Sequence, residues 1–471
     1  GPPPAELTSS DKSSSQPTEQ HKPFSMAFVS AFTPRFSADT ASRAVSRPTA
    51  IPRHTVAPTR KNSTTAVNAK LSIPPANQIK EALATAAKRA LAASVALSLV
   101  LHPGAPPQDF ELANAFSQPN IGFRGSSNAV NKDAESLLRW GLPIKNKEIR
   151  ELQSTLEGIE RDMRSLKWNK VSDDVKKSQG IIRNKAAAML KDIPAERADA
   201  ATEKFTEIQA IFPDLIAAVD EKDAEQVETM KRIILNKVGD VEQMMMVGFP
   251  YEVPKEYSNL PQLKGRAVVE MTLDRPSGEP FNIDGVLYDK IDVKMVIDGY
   301  NAPVTAGNFV DLVKKGFYNN LAITRSDGFV IQSGDPDGDG PVEGYVDPAT
   351  KQLRTIPLEV FALGDKEPTY GTTLEDDGRG AAQTVMPFSS YGTLAFAREE
   401  FIPDSGSSQF FFFLFEPDLT PAGRNLLDGR YCVFGYTVEN AGLLKDVKVG
   451  DVITSARLVA GEENLVLPSS S

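Results

Sequence analysis

Few side chains in this 471-residue sequence could carry acid–base or covalent chemistry, and their positions exclude most of it. The three histidines, His21, His54 and His102, all precede residue 103. A chain matured beyond that point would hold no imidazole base, no Ser-His-Asp triad and no histidine-ligated zinc. Cys432 is the sole cysteine, which excludes an internal disulfide, a Cys-rich zinc site and a paired redox motif. Asp335, Asp337, Asp339 and Gly340 begin the spacing of a calcium loop, but the twelfth position is Val346 and no helix pattern precedes them. A Gly-rich surface turn is expected there, and no metal or cofactor. Three stretches remain that combine arginine, glutamine and clustered phenylalanine: ITRSDGFVIQSGDPDGDG at 323–340, SSQFFFFLFEPDL at 407–419 and LLDGRYCVFG at 426–435.

The elements that must position these stretches are short and β-rich. Arg266 to Leu273 alternates apolar and polar residues as a strand, and similar runs continue to about Val466, which predicts a β-barrel with few helices. Asn301 to Tyr318 predicts one amphipathic helix, with Thr305 in an N-cap-like position and Phe309, Leu312 and Val313 on its apolar face. Pro250, Pro254 and Pro261 mark a linker over 248–262, and the β-rich part spans 263–468.

Upstream, residues 128–247 are expected to be all-helical. Ile149, Leu152, Leu156, Ile159, Met163 and Leu166 are spaced by three and four, which places them on one stripe. Val175, Ile182, Ala186 and Met189 repeat the period. So do Ala201, Phe205, Ile208, Phe212, Leu215 and Val219, with Pro213 expected to end or kink that helix. A fourth helix, capped by Asp223, carries Val227, Met230, Ile234, Val241 and Met245 and stops near Gly248-Phe249-Pro250. A bundle of about four helices follows. It offers no convergent catalytic set of its own; Met244, Met245 and Met246 read as core or as an adaptable partner surface.

Taken together and in order, the three stretches resemble a cyclophilin-type peptidyl-prolyl isomerase domain over roughly 200 residues. The fold class expected is therefore multidomain: an N-terminal all-α helical bundle followed by a cyclophilin-like closed antiparallel β-barrel with flanking helices. The family's chemistry is rotation about X-Pro bonds, opposed by a barrier of about 18–20 kcal/mol. It needs no covalent step, because an arginine donating to the prolyl nitrogen as it pyramidalises weakens the amide resonance. The resemblance implies that Arg325 is the catalytic arginine, that Phe329, Phe411 and Leu427 line the proline pocket, and that Gln332 and Gln409 orient the peptide, with Ala397 beside them. The chain departs from the family at the rim. Thr324 and Tyr431 stand where histidine is usual, Leu426 replaces a tryptophan and Arg398 an asparagine. The segment between Arg325 and Phe329 is shortened to Ser326-Asp327-Gly328, while Glu399 to Ser405 form an insertion. Weak or absent isomerase activity is the expectation, with a fully active isomerase acting as a general lumenal foldase as the alternative.

The chain carries 52 basic and 62 acidic residues, a net charge of −10, unevenly distributed. Residues 26–101 hold ten Lys or Arg and only Asp39 and Glu81 as acids, whereas residues 116–471 hold 40 basic and 55 acidic residues. Such an acidic surface repels nucleic acid. After a polar leader over 1–25, Met26 opens a Ser-, Thr-, Ala- and Arg-rich stretch with the composition of a chloroplast transit peptide, 26–85. A second signal follows over 86–115: Lys88-Arg89, the apolar run Ala90 to Leu101, and a small-residue site with cleavage expected after Ala115. The run of twelve is too short to span a bilayer as a helix. The whole arrangement is similar to the multidomain thylakoid-lumen cyclophilins. That resemblance implies a thylakoid-lumen location and a role in photosystem II assembly and maintenance. It further implies proline-containing lumenal segments of photosystem II proteins as partners, with a thylakoid protein phosphatase as a further one. A contact between bundle and barrel that controls access to the groove is a further expectation.

Overall fold

The computed structural model describes residues 131–336, 344–414 and 425–468. The leader, the transit and lumen signals with their cleavage site, and most of the calcium-like spacing lie outside the described residues.

Five helices open the described chain: α1 (Ala134–Trp140), α2 (Lys147–Arg164), α3 (Trp168–Leu190), α4 (Ala198–Glu221) and α5 (Ala224–Met244). Three begin on side-chain caps, since Asp133 accepts from the Glu135 N–H, Asn146 from the Ile149 N–H and Asp223 from the Gln226 N–H. The apolar stripes of α2 to α5 merge into one core in which Ile149, Leu152, Leu156, Phe212 and Ile234 are fully buried. Two expectations are corrected. Leu166 is exposed, because α2 ends at Arg164 and the chain turns through a left-handed Leu166 before α3. Pro213 does not end its helix; α4 runs through it. The ring lies on the exposed face while Phe212, Leu215 and Val219 remain buried, so the carbonyl that loses its donor faces water and tertiary packing holds the helix on both sides.

The second body is a closed antiparallel barrel. Its eight strands are β2 (Arg266–Asp274), β5 (Lys290–Asp298), β6 (Leu321–Ser326), β7 (Val330–Ser333), β10 (Thr393–Phe396), β11 (Phe410–Phe413), β12 (Val433–Glu439) and β13 (Val452–Ala460). They close in the order β10-β11-β7-β6-β13-β2-β5-β12. The short pairs β1 (Gln262–Leu263) with β14 (Leu465–Val466), β3 (Phe281–Ile283) with β4 (Val286–Tyr288), and β8 (Glu359–Val360) with β9 (Thr369–Tyr370) lie outside it. Period two decides what the Phe410–Phe413 run does. Phe410 and Phe412 point into the barrel core with Phe309, Tyr318 and Phe434, whereas Phe411 and Phe413 join a separate cluster on the outer face.

Helix α6 (Pro303–Lys314) packs against the barrel with Phe309, Leu312 and Val313 buried. It approaches β1 so closely that a Cβ at Gly307 would fall 2.5 Å from the Gln262 Cα. Thr305 is not its cap. The helix starts at Pro303, whose missing N–H costs nothing there, and Glu359 from β8 accepts from the Val304 and Thr305 N–H groups at 3.2 and 2.9 Å.

Helix α1 was not anticipated as a separate element, and it joins the two bodies. Of the carbonyls at its C-terminal end, Leu137 O accepts from the Gly141 N–H and Arg139 O from the Leu142 N–H, and further donors come from outside. Arg150 of α2 donates to Arg139 O (2.9 Å) and Leu142 O (2.7 Å), while from the barrel Asn301 donates to Gly141 O (3.0 Å) and Arg266 to Leu138 O. Arg266 is held in turn by Asp298, which is fully buried. Beneath Arg150 lies Glu242, fully buried, with one carboxylate oxygen 3.2 Å from the guanidinium. Burial pushes its pKa from the ordinary 4.5 to about 7, against the lowering pull of Arg150 and Arg139.

Two outcomes follow from this packing. Leu156→Ala, which opens a cavity in the bundle core, is expected to cost about 2–5 kcal/mol by urea denaturation. Because folded Glu242 holds its proton more tightly than the unfolded residue, its own contribution to stability is fully present below about 4.5 and is lost as pH rises through about 7. Glu359, also raised to about 7 by burial, acts in the same direction. Glu242→Gln is expected to flatten the decline across that window, read as the pH dependence of the urea midpoint.

Candidate functional site

The residues singled out in the sequence come together on one outer face of the barrel. Register places Arg325 of β6 opposite Gln332 of β7, Gln332 opposite Phe411 of β11, and Phe411 opposite Ala395 of β10. Ala397 follows β10 and receives its neighbour directly, donating its N–H to Gln409 O at 2.9 Å. Gln332 Nε2 donates to Gln409 Oε1 at 2.7 Å, so the two amides form one polar step across the sheet. Phe411 is buried to 5 % exposure, while Phe329, on the turn before β7, is 54 % exposed. Leu427 and Tyr431 are half-buried and pack against the outer cluster; Leu426 is exposed at the rim.

The aromatic floor of this face is built from residues far apart in sequence. Tyr431 meets Phe411 edge-on at 5.8 Å between ring centres, and Phe388 lies parallel to Phe411 at 6.1 Å. Asp428 fixes Phe388 there, since its Oδ1 accepts from the Phe388 N–H (2.8 Å) and its Oδ2 from the Asn425 N–H (2.9 Å). Phe388 and Met386 were not singled out in the sequence, because nothing local distinguishes them from other apolar loop residues. The same outer cluster continues through Tyr436, whose hydroxyl donates to Pro387 O, to Leu137 and Leu138 of α1. A flat apolar floor of this kind can hold a proline ring, and the polar step beside it can hydrogen-bond an extended peptide backbone.

The polar groups are arranged less simply. Arg325 does not reach Gln332; its Nε donates to Asp327 Oδ2 at 2.7 Å. Burial raises the Asp327 carboxyl, but the N–H groups of Val330 and Phe329 together with the Arg325 guanidinium bring it below the usual carboxylate range. Arg398, in the position expected to alter the rim, lies over Tyr431 with 4.9 Å from guanidinium carbon to ring centre. Its donors go to Arg430 O, Glu399 O and Glu400 O. The arginine therefore ties the 399–405 segment to the 425–431 loop, a role that sequence alone did not reveal because all three of its acceptors are backbone carbonyls. Thr324 turns away from the face and donates to Gln332 O at 3.3 Å. Among the described residues no group of three or more His, Cys, Asp or Glu side chains converges to hold a metal ion. Burial pushes the Cys432 thiol well up, and it lies 3.3 Å from Thr305 Oγ1, away from solvent.

Comparison with known proteins gives this face a context. Residues 133–246 match the family described as peptidyl-prolyl cis-trans isomerase CYP38-like, PsbQ-like domain, and residues 286–461 match the cyclophilin type peptidyl-prolyl cis-trans isomerase family. The chain is 44% identical over 370 residues to the chloroplastic peptidyl-prolyl cis-trans isomerase CYP38 of Arabidopsis thaliana, covering 77% of this chain and 82% of that protein. It is 43% identical over 347 residues to a protein of Synechocystis named as a thylakoid lumen peptidyl-prolyl cis-trans isomerase, covering 74% and 87%. To the chloroplastic CYP37 of Arabidopsis thaliana it is 32% identical over 371 residues, covering 76% of each.

The rim geometry is open to test. Arg398→Ala removes the ties between two exposed loops, so amide hydrogen exchange across 399–405 is expected to quicken about tenfold or more while the barrel strands keep their protection.

Proposed function

Because this chain belongs to the cyclophilin-type peptidyl-prolyl cis-trans isomerases, in the group that joins a PsbQ-like helical domain to the barrel, and resides in the chloroplast thylakoid lumen, we propose that it binds proline-containing segments of photosystem II proteins exposed in the lumen and assists their assembly and maintenance, with weak isomerase activity. The observation that carries this reading is the contrast within one face. The apolar floor of Phe411, Tyr431 and Phe388 is intact and rigidly supported, while the arginine that would act on the prolyl nitrogen is engaged elsewhere and the rim is rebuilt around Arg398.

In this mechanism the proline ring of a client lies on Phe411, between Phe329 and Leu427, and its backbone bonds to the step formed by Gln332 and Gln409. Arg325, Ala397, Arg398, Leu426 and Tyr431 border the path. Holding a prolyl segment in this way favours one isomer and shields it from wrong partners without any change of covalent bonds. What turnover remains comes from Arg325, whose donation to the prolyl nitrogen is strongest at the twisted transition state. A thylakoid protein phosphatase is a second client on the same reading.

A fully active general foldase of the lumen is the competing reading, favoured by the placement of Arg325 directly opposite Gln332. Peptides from lumenal loops of photosystem II proteins distinguish the two. Phe411→Ala is expected to weaken binding of a proline-containing loop peptide about tenfold, equivalent to about 1.4 kcal/mol, and to leave a proline-to-alanine version of that peptide unaffected. Equal binding of both peptides would remove the client-binding reading. Arg325→Ala is expected to abolish the small isomerisation rate while binding stays within about threefold; a wild-type kcat/KM near about 10⁷ M⁻¹s⁻¹ would instead favour the general foldase.

A further inference from the structure

Arg325 meets Asp327 through two donors on a single oxygen. Nε lies 2.7 Å and Nη2 2.5 Å from Asp327 Oδ2. The other oxygen, Oδ1, accepts from the N–H groups of Phe329 and Val330, each at 3.0 Å. The carboxylate is thus fixed by its own turn before the guanidinium arrives. Gly328, with φ +81°, makes that turn possible in three residues, because a side chain there would be strained. Gln332, opposite Arg325 in register, gives its Nε2 to Gln409. The partner that positions the guanidinium is therefore an anion.

We propose that Asp327 is a brake on the isomerase reaction: it holds Arg325 in an ion pair that must open before the guanidinium can donate to the prolyl nitrogen. This rests on the reading of Arg325 as the catalytic residue. Two effects act together. The carboxylate occupies donors that the transition state needs, and its charge cancels much of the positive potential in which the developing lone pair on nitrogen would be stabilised. Because the carboxyl is held ionised by two backbone donors, the brake stays engaged at neutral and mildly acidic pH. Because the side chains are 56% and 37% exposed, the pair is weak and releasable, so the rate is reduced and not abolished. Ionic strength screens such a pair and loosens it.

The brake assigns a specific chemical role to the shortened turn. Asp327→Asn keeps an oxygen for the Phe329 and Val330 N–H groups and removes only the charge. Isomerisation of a proline tetrapeptide would be followed by NMR exchange on the whole protein, for wild type, Asp327→Asn, Arg325→Ala and the double variant. Asp327→Asn is expected to raise kcat/KM about two- to fivefold, a gain that disappears when Arg325 is also replaced. The wild-type rate is expected to rise between about 0.01 M and about 0.5 M salt while that of Asp327→Asn stays flat. Asp327→Ser, which also keeps a side-chain acceptor for the turn, should repeat the gain if the asparagine variant folds poorly. A rate in both folded variants equal to or below wild type overturns the brake. If Arg325→Ala still abolishes the wild-type rate in that experiment, the catalytic reading survives its loss; if Arg325→Ala changes nothing, both fall.

Discussion

The structure depends most on the carbonyl groups at the end of a seven-residue helix. Helix α1 is too short to be stable alone, and its last carbonyls would be costly to bury without donors. They are satisfied from both sides at once, by Arg150 of the bundle and by Arg266 and Asn301 of the barrel. An arginine that loses its acceptors here leaves a buried charge, so bundle, helix and barrel are fixed in one arrangement and not strung along a linker. The same helix contributes Leu137 and Leu138 to the apolar cluster that ends at Phe411. A continuous packed path therefore runs from the bundle junction to the floor of the candidate groove. Glu242 beneath Arg150 ties the charge state of that junction to pH, and it does so at the end of the path farthest from the peptide.

Much of this was legible in the sequence where a period carried the information. The α2 stripe from Ile149 to Met163 and the Phe410–Phe413 alternation follow directly from 3.6- and 2-residue repeats, and the structure buries them accordingly. The errors have equally specific causes. Leu166 extended a stripe past the point where the backbone turns left-handed, and Pro213 was weighed as a helix breaker although its cost falls on a solvent-facing carbonyl. Helix α1 shows less than two turns of pattern, too few to establish a period. Glu359 caps α6 from more than fifty residues away, and Phe388 reaches Phe411 through a loop held by Asp428; neither pairing leaves a trace in local spacing. Asp327 is different, since an Asp-Gly pair two residues after an arginine is a local turn signal. What that signal does not show is the ion pair, which depends on how the turn folds back onto Arg325.

The rim is held by two self-consistent units. In the first, Arg398 anchors the 399–405 loop by stacking on Tyr431 and donating to carbonyls on both sides of the gap. An asparagine is too short to span those acceptors, and a lysine, with no planar fork, would not both stack and bridge them. Arg398 and Tyr431 therefore act together on the loop that begins at Glu399.

In the second, the turn between β6 and β7 has three residues between Arg325 and Phe329. A turn that short brings the Phe329 and Val330 N–H groups to one side, towards a single side chain. An acidic or amide side chain at its centre is the economical acceptor, and Asp327 fills that position with Oδ1. Once a carboxylate is placed there its second oxygen has no further turn donor to accept from, and the nearest cation, two residues back, is Arg325. The pairing of the arginine is thus a consequence of how the turn closes. The barrel can keep its aromatic floor unchanged through this, because Phe411 is set by strand register and by Phe388, neither of which passes through the turn. The Phe411–Phe388 floor and the Arg325–Asp327 turn are in this way held by separate elements.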